Sequence, residues 1–341
     1  MRNGVSGQKR WDPEDADMGR LALTILLGTA GIPALLIGYV IGTETLLRAL
    51  PQKRRPLLRS WLWLVPAFAF LGVFLIYPTL RTLYLSVFDA QSMRFVGLQN
   101  YRFALTNPAM QIAIRNNLLW LAIFTALTVG IGLVMAVLTD RVRYESAARM
   151  AMFMPMAISF VAASVIWKFV YAFRPAGDPQ IGILNALLAR LVSDFQPIAW
   201  LVISPLNNLA LIVIGVWVWA GFCMVILSAS LKGVPAGLLE AARIDGASEW
   251  QVFRRITIPI LSPTIVVVVS TMVIFALKAF DIVYVMTNGN YDTDVIANRM
   301  YKEMFTFRDF GHASAIAVVL FAATLPLIVA NIRRWSGGEL R

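Results

Sequence analysis

The chain has 341 residues, 59% of them hydrophobic and 14% charged, with a net charge of +11. Soluble domains run nearer half apolar and about a quarter charged, so this composition belongs to a membrane protein and not to a basic nucleic-acid binder. A single cysteine, Cys223, and a single histidine, His312, exclude an intrachain disulfide, a zinc site, and Ser–His or Cys–His catalysis.

Taken from the N-terminus, seven runs of about 20 apolar residues are each long enough to cross a bilayer as a helix. They lie at Leu21–Thr43, Trp61–Leu83, Asn117–Leu138, Met150–Phe173, Leu209–Leu231, Thr264–Tyr284 and Ala313–Ile332. Ahead of the first, Arg2, Lys9, Arg10 and Arg20 balance Asp12, Glu14, Asp15 and Asp17. No small-residue cleavage site follows it, so it reads as a retained helix rather than a removed signal peptide. Gly38 and Gly42 have the small-xxx-small spacing that permits close helix packing.

Lys and Arg are dense on one face of this seven-span arrangement. Arg48, Lys53, Arg54, Arg55 and Arg59 crowd one short loop, and Arg141, Arg143 and Arg149 another. Lys232, Arg243, Arg254 and Arg255, and the C-terminal Arg333, Arg334 and Arg341, fall on the same side. The positive-inside bias makes that side cytoplasmic. The C-terminus is then expected inside and the N-terminus outside.

After the second span come Phe95-Val96-Gly97-Leu98-Gln99-Asn100-Tyr101, Asn107-Pro108 and Asn116-Asn117-Leu118. Gly97 permits a tight turn and Asn-Pro marks another, predicting a hairpin or short helix at the membrane face. Ile166-Trp167-Lys168 closes the fourth span, where Lys168 is expected to snorkel to the interface. Gly182-Ile183-Leu184-Asn185 follows. In the fifth span, Val216-Trp217-Val218-Trp219-Ala220-Gly221-Phe222 carries two indoles two residues apart. They face different sides of a helix, so at most one of them lines a pore.

A charged segment then separates the fifth and sixth spans. Pro235 suits the first turn of a helix, having no amide hydrogen to leave unpaired. Leu239, Glu240, Ala241 and Ala242 favour helix, with Glu240 toward its positive end. Gly246, next to Asp245, can take the left-handed conformation that stops it. A second amphipathic helix through Trp250, Phe253 and Ile256 completes a hairpin that leaves through Ile258-Pro259-Ile260-Leu261-Ser262-Pro263. Taken alone, this segment also suits an amphipathic loop on lipid headgroups.

In the sixth span, Lys278 and Asp281 are three apart and would share one face of a continuous helix. Intramembrane charges usually face the bundle interior or water. Two roles stay open: lining a path together with Tyr284 and Asn288, or a structural ion pair near the outer headgroups. Asn298-Arg299-Met300-Tyr301-Lys302 and Phe310-Gly311-His312-Ala313-Ser314 lead into the last span.

The Glu240-Ala241-Ala242 segment, with Gly246 four residues on and an Ile-Pro-x-Leu-x-Pro exit, resembles the coupling loop of ABC importer permeases. Phe95–Tyr101 and the Trp-x-x-x-Gly-Phe stretch Trp217–Phe222 resemble the carbohydrate branch. From Trp61 to Trp335 the chain is similar to a permease of the maltose-permease type. The resemblance implies an all-α integral membrane protein: a six-helix MetI-like permease core plus one additional N-terminal transmembrane helix. The division is then an N-terminal extension over 1–60, a permease domain over 61–335 with its coupling loop at 232–263, and a tail over 336–341.

It further implies a transport subunit and not an enzyme. No phosphate-loop motif occurs, so ATP and Mg would be bound by a partner ATPase dimer seated on Leu239–Gly246. A second homologous permease, an extracytoplasmic sugar-binding protein and the inner-membrane bilayer are the other implied partners. Trp217, Trp219, Lys278, Asp281, Tyr284 and Asn288 are the implied path residues, for a di- or oligosaccharide such as an α-glucoside. An ion-coupled carrier working through Asp281, and a permease for polyol or glycerol phosphate, are the alternatives. The usual Gly-Gly-Pro of the family is replaced by Gly289-Asn290-Tyr291, which leaves the outer turn open.

Overall fold

In lipid every backbone polar group has to be satisfied within the chain, which leaves long apolar segments helical. The computed structural model describes residues 19–20, 24–25, 27–49, 51–52, 55–140 and 142–338, and its regular elements are all helices. The chain divides into two units, Met1–Thr79 and Leu80–Arg341.

In the first unit, α1 (Gly28–Ala49) is followed by α2 (Leu58–Leu85), which runs on into the second. The Tyr39 hydroxyl donates to the Leu62 carbonyl, and Arg59 pairs with Glu44 at 2.6 Å. The predicted start of the first span at 21–23 falls outside the described residues, as do Asp12 to Asp17. Nothing lies within 4 Å of where a Cβ would sit on Gly38 or Gly42, so the small-residue spacing mediates no close helix crossing among the described residues.

The second unit contains α3 (Gln99–Thr106), α4 (Pro108–Thr139), α5 (Glu145–Ala157), α6 (Phe160–Val170) and α7 (Ile183–Leu191). After these come α8 (Leu206–Leu231), α9 (Ala236–Ile244), α10 (Glu249–Leu277), α11 (Asp281–Met286), α12 (Ile296–Tyr301) and α13 (Phe310–Gly338). Helix α8 is apolar around its whole circumference, the pattern of a central helix. It buries Leu211, Ile214, Met224 and Leu227 completely. At Gly132 of α4 a Cβ would collide with the backbone and side chain of α8 around Cys223, so the two helices cross in direct backbone contact.

Among the described residues, five helices are long and apolar enough to cross a membrane, or six if a pair bent by 100° is one span; the apolar part of α13, Phe310–Pro326, is shorter. The third expected span opens at Pro108 rather than Asn117 and the first runs on to Ala49 rather than Thr43, and two others need larger correction. The fourth is broken, α5 and α6 being the bent pair. Pro155 has no N–H for the helical ladder, and Ser159 Oγ restarts the chain by accepting from the Ala162 amide at 3.2 Å. The sixth begins earlier, at Glu249, and ends earlier, at Leu277 rather than Tyr284. It stops because Asn117 Nδ2 donates to the terminal carbonyls of Ala276 and Leu277, at 3.2 and 3.3 Å.

Asparagines also shape the turn after α11. Asn116 Nδ2 donates to the carbonyls of Asp292 and Asp294, and Asn207 Nδ2 to that of Tyr291. These bonds hold Asn288, Gly289, Tyr291 and Asp292 in the left-handed region, at φ of 50°, 71°, 57° and 58°. Gly289 is required there, because a Cβ would collide with the Asp294 carboxylate.

Candidate translocation cavity and coupling hairpin

A π turn at Trp120–Phe124 inserts an extra residue into α4 and turns both end rings the same way, against α8. Gly215 of α8 admits them; a Cβ there would stand 3.1 Å from each ring. With Phe160, Trp219, Phe275 and Phe280 they wall a cavity of about 220 Å3, with Lys278 and Asp281 among its lining residues. Whole ligand pockets run roughly 300–1,000 Å3, so the space has the size of part of a path. Trp219 lies 3.8 Å from Phe275 between ring centroids, at 39°. The Trp120 indole nitrogen is buried and has no hydrogen-bond partner among the described residues.

The expected path residues therefore separate. Trp219, Lys278 and Asp281 line the cavity, whereas Trp217 packs edge-on against Trp167 at 5.9 Å. Tyr284 belongs to an aromatic group with Phe280 and Tyr301, outside the lining. Asn288 sits exposed on the turn after α11. Lys278 and Asp281 do not share a helical face: Lys278 is the residue after α10, Asp281 opens α11, and no ion pair joins them among the described residues. Sequence reasoning missed Trp120, Phe124 and Phe160, whose aromatic spacing looks like ordinary packing, and Asn117. The signal for Asn117 was available, since an amide inside an apolar span has to be bonded.

The hairpin is built from strong local rules. After α9, the Gly246 amide bonds the Arg243 carbonyl and the Ala247 amide bonds that of Ala242, both at 3.0 Å, with Gly246 at φ 83°. This is the double closure of a helix end on a left-handed residue. Ser248 and Gln251 form a reciprocal capping box that starts α10. Across the turn, Arg243 Nε lies 2.7 Å from Glu249 Oε1, and the carboxylate pushes the guanidinium pKa up. Leu239 is half-buried; Glu240, Ala241, Asp245 and Gly246 are exposed, with Ile244 85% and Trp250 66% exposed beside them. Ser230 and Thr264 hydroxyls, 3.0 Å apart, close the hairpin at its base.

Residues 104–339 match the family described as binding-protein-dependent transport system inner membrane component. The osmoprotective compounds uptake permease protein GgtC of Synechocystis is 57% identical over 278 residues, 82% of this chain and 99% of that one. The alpha-glucoside transport system permease protein AglF of Rhizobium meliloti is 46% identical, over 83% of this chain and 84% of its own. A bacterial ABC transporter that imports the polysaccharide alginate shares the fold, at TM-score 0.70 and 22% identity, over 82% of this chain and 96% of that one. The chain thus belongs to the binding-protein-dependent inner-membrane transport components, as a multi-pass permease subunit of an ABC importer with carbohydrate permeases among its relatives.

Proposed function

We propose that this chain forms half of the translocation path of an ATP-driven importer for small neutral glucosides, including those taken up as osmoprotectants. The observation that carries the reading is the rigid hairpin that leaves Glu240, Ile244 and Trp250 uncovered. Exposed apolar residues on a fixed, charged turn suit a protein partner. That partner is a separate ATPase dimer, which binds the ATP and Mg, with the hairpin on the cytoplasmic side. A second, homologous permease completes the path, and an extracytoplasmic binding protein delivers the sugar.

Closure of the ATPase pair pushes the two hairpins and favours the conformation open to the outside; hydrolysis restores the other. A ligand shifts such an equilibrium only through its different affinity for the two states. In the cavity, the C–H faces of a pyranose pack on Trp219 and Phe275 while hydroxyls reach the Trp120 N–H, Lys278 and Asp281. A single cation and a single anion favour neutral cargo over phosphate. The carbohydrate relatives and the osmoprotectant permease support the same class.

The test is uptake of labelled α-glucoside into vesicles holding the chain with its ATPase, second permease and binding protein. ATP-dependent uptake that falls in Asp281→Ala, with the complex intact, is expected. Uptake that persists without ATP and collapses with the ion gradient contradicts the proposal.

A further inference from the structure

Where the hairpin leaves the bundle, three helix ends converge in a knot of charge. Asp140 caps the end of α4, Glu145 opens α5, and Ser228 and Lys232 lie at the end of α8. Lys232 Nζ is 2.6 Å from Glu145 Oε1. Arg149, one turn into α5, pairs with Glu145 and, at 3.9 Å, with Asp140, and donates to Ser228 Oγ. The carboxylate stands at the positive end of α5 and the ammonium at the negative end of α8, so each charge suits its helix terminus.

Lys232 is also the foot of the hairpin, four residues before α9 begins. The hairpin is stiffened by its capped turn and by Arg243–Glu249, so a load on its tip reaches that foot. Glu145 grips the foot from one end of α5. The other end carries the 100° bend into α6, whose first residue, Phe160, is in the cavity wall. Between them α5 rests on α8 at Gly221, where a Cβ would overlap the Met152 carbonyl. Grip, pivot and cavity wall therefore lie on one continuous arm.

We propose that Glu145 is a positioning residue for transport: its ion pair with Lys232 makes α5 follow the hairpin, and the bent arm carries that displacement to Phe160. This rests on the reading of the hairpin as the ATPase dock. Neither residue lines the cavity or stands on the docking tip. A pair that only steadied the fold would, once removed, lower hydrolysis and import together. A coupling pair separates them.

The experiment counts ATP hydrolysed per glucoside imported, using the complete importer in membrane vesicles. Compared are wild type, Glu145→Gln, Lys232→Gln, and Glu145→Cys with Lys232→Cys joined by a short bis-methanethiosulfonate, which forms a reducible disulfide with each cysteine and releases methanesulfinate; the fully buried Cys223 stays in place. Each Gln variant is expected to raise the ratio about fivefold, the low end of typical inter-site couplings, at an unchanged hydrolysis rate. The linked variant is expected to return to the wild-type ratio, and a reductant to undo this. An unmoved ratio, hydrolysis and import falling in proportion, or a linked form no better coupled than its reduced form would each overturn the proposal alone. Wild-type vesicles without ATP-driven uptake would overturn the docking reading, and this proposal with it.

Discussion

Asn117 donates to the carbonyl of Ala276 at 3.2 Å, and that bond ends α10 before Lys278 and Asp281 can share a helical face. The same amide's oxygen accepts from the Ile296 amide at 2.7 Å, so one buried side chain of α4 fixes both the end of α10 and the start of α12. The corner it creates turns Lys278, Phe280 and Asp281 toward the aromatic cavity.

Removing that amide leaves buried backbone groups unpaired. Asn117→Ala is expected to destabilise the chain by about 1–3 kcal/mol, the usual range for orphaned buried polar groups. The check is the thermal unfolding midpoint of the detergent-solubilised complex. An unchanged midpoint would show that the corner is held by other contacts.

Lys278 and Asp281 line one cavity without pairing, so they are expected to act separately. In a double-mutant cycle of Lys278→Met and Asp281→Asn read on uptake affinity, the interaction energy should stay at about 0.5 kcal/mol, the low end for residues that share a partner without contacting each other. A larger interaction energy would mean that the two charges meet during transport.

Trp120→Phe keeps an aromatic face but loses the indole's five-membered ring with its N–H, which has no partner among the described residues. Stability should fall by about 1–3 kcal/mol for the buried volume lost, while glucoside affinity in uptake falls by roughly five- to tenfold, equivalent to about 1–1.5 kcal/mol for one hydrogen bond. Equal affinity in the two proteins would remove Trp120 from the sugar's contacts.

Beyond the cavity, Glu303 is 3% exposed and pairs with Arg299, with His312 at 3.7 Å and Asp309 beside it. Burial pushes its carboxyl up, but the His312 hydrogen bond and the Arg299 charge outweigh this and hold it below the ordinary 4.5. A depressed carboxylate contributes stability that is fully present above 4.5 and is lost as pH falls through the lower folded value. Unfolding midpoints measured downward from pH 6 should therefore drop less steeply in Glu303→Gln than in wild type. Parallel curves would contradict the assignment.

The elements legible in the sequence are those set by local rules. Pro235 and Gly246 bound the hairpin helix because a missing N–H and a left-handed residue act within one turn. Long apolar runs yield α1, α2, α4 and α8 because hydropathy alone decides them. The fourth span breaks at a local signal inside its apolar run, Pro155 and the Ser159 cap, whereas the sixth went wrong where a distant partner decides. Asn117 lies over 150 positions from Ala276, and no periodicity within residues 264–284 reveals it. The same holds for the cavity: Trp219 is recognisable as an aromatic on a polar-poor helix, but Trp120 and Phe124 join it only through a π turn and the bare Gly215.

The most direct test of the account is contact between the hairpin and the ATPase. A photo-crosslinking residue placed at Ala241 in the intact importer is predicted to join this chain to the ATPase subunit, and Glu240→Lys to abolish that adduct. Reaction of the same position with an impermeant reagent added outside whole cells, with no ATPase adduct, would contradict it.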